Sequence, residues 1–364
     1  MKILELTNYS AGSCGVFARV KKEALWLSSR GHQVRIFSSN LEKGTNQVMP
    51  KEDKIGKVKI TRFSSTKLGG ESFMRWNFIK DAIDFKPDVI IAHSYRHYHT
   101  HLALKVARIV GAKCFLVTHA PFTMNTRSPI SKIAVSIYDS LIGPKIINQF
   151  DKVITITSWE EKYLAKIGCR KDKIVCIPNG IPEEFYNSKI LEGQGMFFFG
   201  RVSPIKNIEL LISALKDSSL SVDIIGPTEA KYKSKLLSQI SKNNIRNVHF
   251  LPEIKDLKSK IKLFDHYEIL VLPSKFESFG QVIVEAMARG KIVISSNTPG
   301  AREIIKDNKN GFLFEVNNAN HLRSLIDKVS NLSKSSKKSI RLAALKRAEE
   351  FKLNKIMLRL ESLL

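Results

Sequence analysis

Short runs of β-branched residues alternate with segments of helical periodicity along most of this chain. That alternation is the pattern of strand–helix–strand units, in which parallel strands form a sheet and a helix carries the chain back between them. Strands are expected at residues 2–6, 34–38, 89–92, 114–118, 153–157 and 174–177, and again at 196–199, 222–225, 248–251, 269–272 and 292–295. The two sets are separated by the turn Pro178-Asn179-Gly180 and by a polar stretch over 183–195 without period, which reads as a linker. The 364 residues are enough for two domains with a core each. The expected class is therefore α/β, with doubly wound domains over 1–184 and 185–345 and ligands in a cleft at the carboxyl ends of both sheets. Residues 346–364 complete a basic amphipathic tail and are expected to form a helix packing back on the amino-terminal domain.

Hydrophobic residues make up 43% of the chain and charged ones 26%, a globular composition, and no window holds the ~20 unbroken apolar residues of a membrane span. Lys and Arg number 59 against 34 Asp and Glu, a net charge of +25. Such an excess suits nucleic acid, an anionic lipid surface or phosphorylated small molecules. No groove-reading helix or stacking motif accompanies it, so nucleic acid is not the expected partner. Cys14, Cys114, Cys169 and Cys176 form no CxxC pair, which sets aside a zinc or disulfide scaffold. With no signal peptide ahead of the first strand, the expected location is cytoplasmic.

Three strand-to-helix turns carry the chemistry. Glu277-Ser278-Phe279-Gly280-Gln281 follows the strand over 269–272 and opens a helix that Arg289 and Gly290 end. A helix entrance offers backbone N–H groups and a positive dipole end, a natural seat for phosphate. Glu277 stands before that entrance and Glu285 inside the helix, and carboxylates accept hydrogen bonds from sugar hydroxyls. Gly200-Arg201-Val202-Ser203-Pro204-Ile205-Lys206, after the strand over 196–199, supplies two cations around a tight turn, the complement of a diphosphate. Gly12-Ser13-Cys14-Gly15 follows the first strand, but it is not GxGxxG and no acidic residue closes the next strand, which disfavours a dinucleotide site.

These pieces, in this order, resemble the retaining glycosyltransferases of family 4, the glycosyl transferases group 1. The likeness extends to Arg30-Gly31-His32, Pro178-Asn179-Gly180-Ile181, Leu272-Pro273-Ser274, Ala286-Met287-Ala288-Arg289-Gly290 and Asn297-Thr298-Pro299-Gly300. It implies the GT-B architecture of two facing Rossmann-like domains, the first binding an acceptor and the second a nucleotide-diphosphate sugar, UDP- or GDP-linked, as donor. It further implies that Arg201 and Lys206 hold the diphosphate beside Gly200, helped by backbone groups of Phe279, Gly280 and Gln281. Glu285 would bind the ribose, Glu277 the donor sugar, and Glu253 and Ile254 the base through their backbone, while Gly12 and Gly15 close over the phosphates. His119 takes the position of the family's active-site histidine, with His93 at the end of the preceding strand a weaker counterpart.

No tightly bound metal or cofactor is expected, because Asp-x-Asp is absent and His97, His99 and His101 have no carboxylate or cysteine with them. Retention implies that the departing phosphate oxygen takes the acceptor's proton on the same face of the sugar. Between Arg96 and Ile146 seven Lys or Arg and one Asp interleave with Ile130, Ile133, Val135, Ile137, Leu141 and Ile142. With Phe73-Met74-Arg75-Trp76-Asn77-Phe78-Ile79-Lys80 read as an interfacial helix, this suggests peripheral attachment to the inner face of the cell membrane and a lipid-linked or glycan acceptor. An epimerase of the same fold is the alternative within enzymes.

Overall fold

The computed structural model describes residues 1–12, 14–45, 47–67, 70–120, 129–186, 192–254 and 256–364. Ser13 of the first glycine-containing turn, residues 121–128 of the basic apolar stretch and residues 187–191 of the expected linker lie outside the described residues. The chain divides into two compact units, Met1–Gly180 with Ile356–Leu364, and Ile181–Lys355.

The first unit opens with β1 (Lys2–Thr7), α1 (Gly15–Ser29) and β2 (Gln33–Ser39), followed by β3 (Glu52–Ile55), β4 (Val58–Phe63), β5 (Ser65–Lys67) and β6 (Met74–Trp76). It continues through α2 (Ile79–Phe85), β7 (Val89–His93), α3 (Tyr98–Val110), β8 (Lys113–Val117), α4 (Pro129–Ile137) and a π-helical turn, Tyr138–Ile142. Then come α5 (Gly143–Ile147), β9 (Lys152–Thr155), α6 (Trp159–Lys166) and β10 (Ile174–Cys176). Its main sheet runs β10-β9-β8-β7-β1-β2-β4-β3, parallel except for β3. Strands buried on both faces must be apolar almost throughout, as Val89–His93 is. The short β3, Glu-Asp-Lys-Ile, is exposed and charged as an edge strand needs to be, which is why it carries no hydrophobic signal.

The second unit holds β11 (Met196–Phe199), α7 (Ile208–Ala214), β12 (Val222–Ile225), α8 (Ala230–Lys242), β13 (Val248–Leu251), α9 (Leu257–His266) and β14 (Ile269–Leu272). After these follow α10 (Gln281–Ala288), β15 (Ile292–Ser296), α11 (Pro299–Ile304), β16 (Phe312–Phe314), α12 (Ala319–Ser330) and α13 (Lys334–Ala348). The sheet order is β13-β12-β11-β14-β15-β16, wholly parallel. The strand order reverses between β11 and β14 here, and between β1 and β7 in the first unit. Ligand crevices of doubly wound sheets form at such reversals.

Two expectations change. The segment from Phe73 to Lys80 is not a helix: a 3-10 turn, Glu71–Phe73, leads into β6, which pairs antiparallel with β5. Its apolar residues recur every second position, so Met74, Trp76 and Phe78 enter the core while Arg75 and Asn77 face out. Trp76 and Phe78 pack ring to ring, 4.8 Å between centroids, and cannot also lie in a membrane. The carboxyl-terminal tail is broken by the turn Glu349–Phe351, after which α14 (Leu353–Glu361) buries Ile356, Met357 and Leu360. Residues up to 355 group with the second unit and the remainder with the first. Phe78→Ala is expected to lower the unfolding free energy by about 3–5 kcal/mol in urea titration, as a large buried aromatic removed from a packed core does.

Candidate functional site

In the second unit two loops meet at the reversal. Gly200, directly after β11, has φ +148, and Gly226, after β12, has φ +144. A Cβ on Gly226 would stand 2.1 Å from the Gly200 carbonyl oxygen, so only glycine lets these backbones cross. The Val202 N–H donates to the Pro227 carbonyl at 2.8 Å, which fixes the turn bearing Arg201. A 3-10 turn, Pro204–Lys206, then brings Lys206 round, and the Lys275 N–H from the loop after β14 donates to the Ile205 carbonyl at 2.8 Å.

That second loop carries Glu277, which is buried, and its Oε1 accepts from Lys206 Nζ at 2.6 Å and from Ser274 Oγ at 2.7 Å. Gly300 holds the loop from behind: its N–H donates to the Glu277 carbonyl at 3.1 Å, and a Cβ there would stand 2.6 Å from that oxygen. Phe279 is anchored in the core against Phe351, so its backbone alone is available to a ligand. Gly280, at φ +85, caps α10 in the left-handed conformation, and the helix's positive end lies at Gln281. Glu285, in the second turn, accepts from Lys260 Nζ at 2.6 Å.

Lys260 escaped the sequence reading. It lies on α9, over the ring of Phe199 at 4.7 Å, and an isolated lysine in a basic amphipathic helix gives no signal of that placement. Each glutamate thus has an ammonium partner, Lys206 for Glu277 and Lys260 for Glu285, in partly buried surroundings where charge attraction is strengthened. Lys206 with Glu277 can meet a phosphate and a hydroxyl side by side. Glu253, exposed, and Ile254 lie in the loop after the edge strand β13.

In the first unit Gly12 has φ +77 and would clash at 2.6 Å with the Lys43 carbonyl if it bore a Cβ, whereas a Cβ on Gly15, at the start of α1, meets none of the described atoms within 4 Å. At the β1/β7 reversal His93 is fully buried, and its Nδ1 lies 2.9 Å from His119 Nε2. Its Nε2 lies 2.7 Å from Glu5 Oε2 on β1. On α1, Arg19 pairs with Glu23 at 2.8 Å and reaches the Ile177 carbonyl at 2.9 Å and Asn179 Oδ1 at 3.3 Å. Burial pushes the Glu5 carboxyl up to about 8, against the pull of Arg19, pushes Glu23 up, and holds His93 down to about 4 and His119 well below the usual histidine range. The carboxylate atoms of Glu5 and Glu23 and the His93 ring nitrogen lie within 4.8 Å of one another, and the guanidinium of Arg19 supplies positive charge beside them.

His119 and Ala120 both adopt left-handed backbone, φ +58 and +54, a strained choice for side-chain-bearing residues. Glu160, at the start of α6, holds them there. Its Oε2 accepts from Thr118 Oγ1 at 2.5 Å and the Ala120 N–H at 2.8 Å, and its Oε1 from the N–H groups of Ile156 and Thr157 and from Thr157 Oγ1. Glu5, Arg19, Glu23 and Glu160 were missed by the sequence reading, although a glutamate inside the otherwise apolar central strand 2–7 is itself a signal. His97, His99 and His101 take separate partners, Asn8, the His93 carbonyl and Tyr138.

Residues 14–185 match the model of Glycosyltransferase Family 4 and residues 183–346 that of Glycosyl transferases group 1. The glycosyltransferase MJ1178 of Methanocaldococcus jannaschii is 32% identical over 185 residues, 50% of this chain and half of that protein's length. MJ1607 of the same organism is 25% identical over 343 residues, 86% of this chain and 85% of that protein. The structure of Anabaena HepE in complex with UDP and glucose superposes with a TM-score of 0.78 at 18% identity, covering 100% of this chain and 99% of that one. The fold is that of the GT-B glycosyltransferases.

A raised carboxyl stabilises the fold in full below its unfolded value, 4.5, and loses that contribution as pH climbs to the folded value, about 8 for Glu5. The depressed His93 acts oppositely, contributing above 6.5 and losing it as pH falls through about 4. Above pH 6.5 the Glu5 contribution is therefore unopposed by His93, and Glu23 adds to it with the same sign. Stability in urea is expected to fall from pH 6.5 to 8, by up to about 1.4 kcal/mol per pH unit for one such group, and Glu5→Gln to flatten that slope. An undiminished slope in Glu5→Gln would assign it to other groups.

Proposed function

This chain belongs to the group 1 glycosyltransferases, and we propose that it is a retaining enzyme moving a hexosyl unit from a UDP- or GDP-linked sugar to a hydroxyl on a lipid-linked or membrane-surface glycan. The observation that carries the donor half is the paired arrangement of Lys206 with Glu277 and Lys260 with Glu285 about the start of α10. Breaking the bond from the anomeric carbon to phosphate leaves a diphosphate, whose charge Arg201, Lys206 and the positive end of α10 can stabilise without a proton transfer from the protein. Glu277 then holds the sugar hydroxyls, Glu285 the ribose, and the backbone at Glu253 and Ile254 the base. His119 serves the transferred sugar and the turn over 12–15 the phosphates. The acceptor hydroxyl gives its proton to the departing phosphate oxygen, so no protein base is needed. The UDP and glucose of the HepE complex favour UDP among the donors.

The acceptor half rests on α4 and the turn after it. Ile130, Ile133, Ile137 and Leu141 recur on one helical face and are 81%, 62%, 53% and 67% exposed, with Ile142 beside them and Lys132 and Lys145 in the same stretch. Large aliphatic side chains left in water on one face suit an interface, and the +25 charge suits an anionic one. No described helix is long and apolar enough to cross a membrane.

Calorimetry with UDP, GDP and ADP is expected to find one nucleotide binding at micromolar affinity, weakened at least about tenfold, or 1.4 kcal/mol, by Glu285→Ala. Absence of binding to a folded chain would remove the donor assignment. In vesicle sedimentation, Ile133→Asp with Ile137→Asp is expected to abolish binding to anionic vesicles and leave nucleotide binding intact. Equal binding of the wild type to neutral and anionic vesicles would sink the electrostatic part.

A further inference from the structure

The transfer as proposed uses His119 but leaves three buried ionisable groups on β1, β7 and α1 without a task. Ionised, a carboxylate at Glu5 would be expensive to bury, since Arg19 is committed to Glu23. Carrying its proton, Glu5 fits its surroundings. The O–H on Oε2 donates to His93 Nε2 at 2.7 Å, and the uncharged Oε1, which has no partner, costs far less than an unpaired anion.

One proton then dictates the rest. With Nε2 accepting, a neutral His93 must carry its hydrogen on Nδ1, which donates to His119 Nε2 at 2.9 Å. A neutral His119 must in turn carry its hydrogen on Nδ1, the ring nitrogen not engaged with His93. His93 is itself held in place, since the His99 Nε2–H donates to its carbonyl at 2.8 Å. Glu23 Oε2 stands 3.5 Å from His93 Nε2, beyond hydrogen-bonding distance and outcompeted by Glu5.

We propose that Glu5 and His93 are positioning residues that fix the tautomer of His119, presenting its Nδ1–H as a hydrogen-bond donor to an oxygen of the transferred sugar. This rests on the assignment of His119 to that sugar. The labour is divided: Glu160 determines where the His119 ring stands, by clamping the left-handed turn, and Glu5 through His93 determines which nitrogen bears the hydrogen. The same chain accommodates charge developing next to His119. If the sugar oxygen draws on the Nδ1–H, the protons of Glu5 and His93 can each move one bond toward His119, leaving a carboxylate at Glu5, a neutral His93 protonated on Nε2, and a His119 imidazolium. Proton number and total charge are unchanged by the shift.

The test uses the full chain with 15N-labelled histidine, read by long-range proton–nitrogen NMR, with His119→Ala to identify the signals. Glu5→Leu removes the donor to His93, whereas Glu5→Gln keeps one in its amide N–H. Wild type and Glu5→Gln are expected to show His119 protonated on Nδ1, and Glu5→Leu to populate the Nε2 form. With UDP-glucose as donor and UDP release as readout, Glu5→Leu is expected to lower kcat by roughly 10- to 100-fold with KM within threefold, about the worth of one positioned proton donor. Glu5→Gln is expected to stay within about threefold of wild type on both. A His119 that stays protonated on Nδ1 in Glu5→Leu overturns the proposal, as does Glu5→Gln behaving like Glu5→Leu, which would make the ionised carboxylate the working form. A tautomer that shifts while Glu5→Leu and His119→Ala both release UDP at the wild-type rate overturns instead the assignment of His119 on which the proposal rests.

Discussion

Parallel pairing puts the carboxyl ends of all strands in a sheet along one edge, and a reversal of strand order sends the chains leaving two neighbours apart. Between β11 and β14 this separation is bridged by backbone alone: Gly200 against Gly226, Lys275 N–H to the Ile205 carbonyl, and Gly300 against Glu277. Without those close approaches Lys206 and Glu277, 71 residues apart in the chain, would not meet. The helix α10 starts from the same loop, so its positive end is aimed by the same contacts.

The chain treats charge in two ways. Its excess of lysine and arginine stands mostly in water, where each charge is screened and contributes little to stability. The charges that matter for chemistry are drawn inward and matched in pairs: Lys206 with Glu277, Lys260 with Glu285, Arg19 with Glu23. Glu160 is matched instead by five hydrogen-bond donors, three of them on the turn after β9. Glu5, lacking either, is best accommodated as a neutral acid.

Much of the architecture was legible because parallel strands buried on both faces have to be continuous apolar runs, and 196–199, 222–225, 248–251 and 269–272 stand in the structure with those bounds. The pieces without such runs were not. β3 is a charged edge, and the residues from Met74 to Phe78 alternate at period two in a stretch too short to separate a strand from a helix by composition. In the candidate site, residues beside glycine turns announced themselves, since Gly200, Gly280 and Gly300 mark backbone that only glycine permits. Lys260 and Glu160 did not, because a lysine or glutamate on a helix is ordinarily a solvated group, and nothing local distinguishes one aimed at Glu285 or at the turn after β8.

The sequence by itself determined the class of fold, the place of each strand-to-helix turn and the residue types at those turns, because hydrophobic periodicity and glycine placement are local properties of the chain. Tertiary structure alone decided which charges are paired, which histidine nitrogen faces which carboxyl, and that Ile130, Ile133 and Ile137 lie in water while Trp76 lies in the core. The physical reason is that ion pairing, desolvation and exposure depend on distances between residues far apart in the chain, such as Glu5 and His93 or Lys260 and Glu285, and those distances exist only once the sheets have formed.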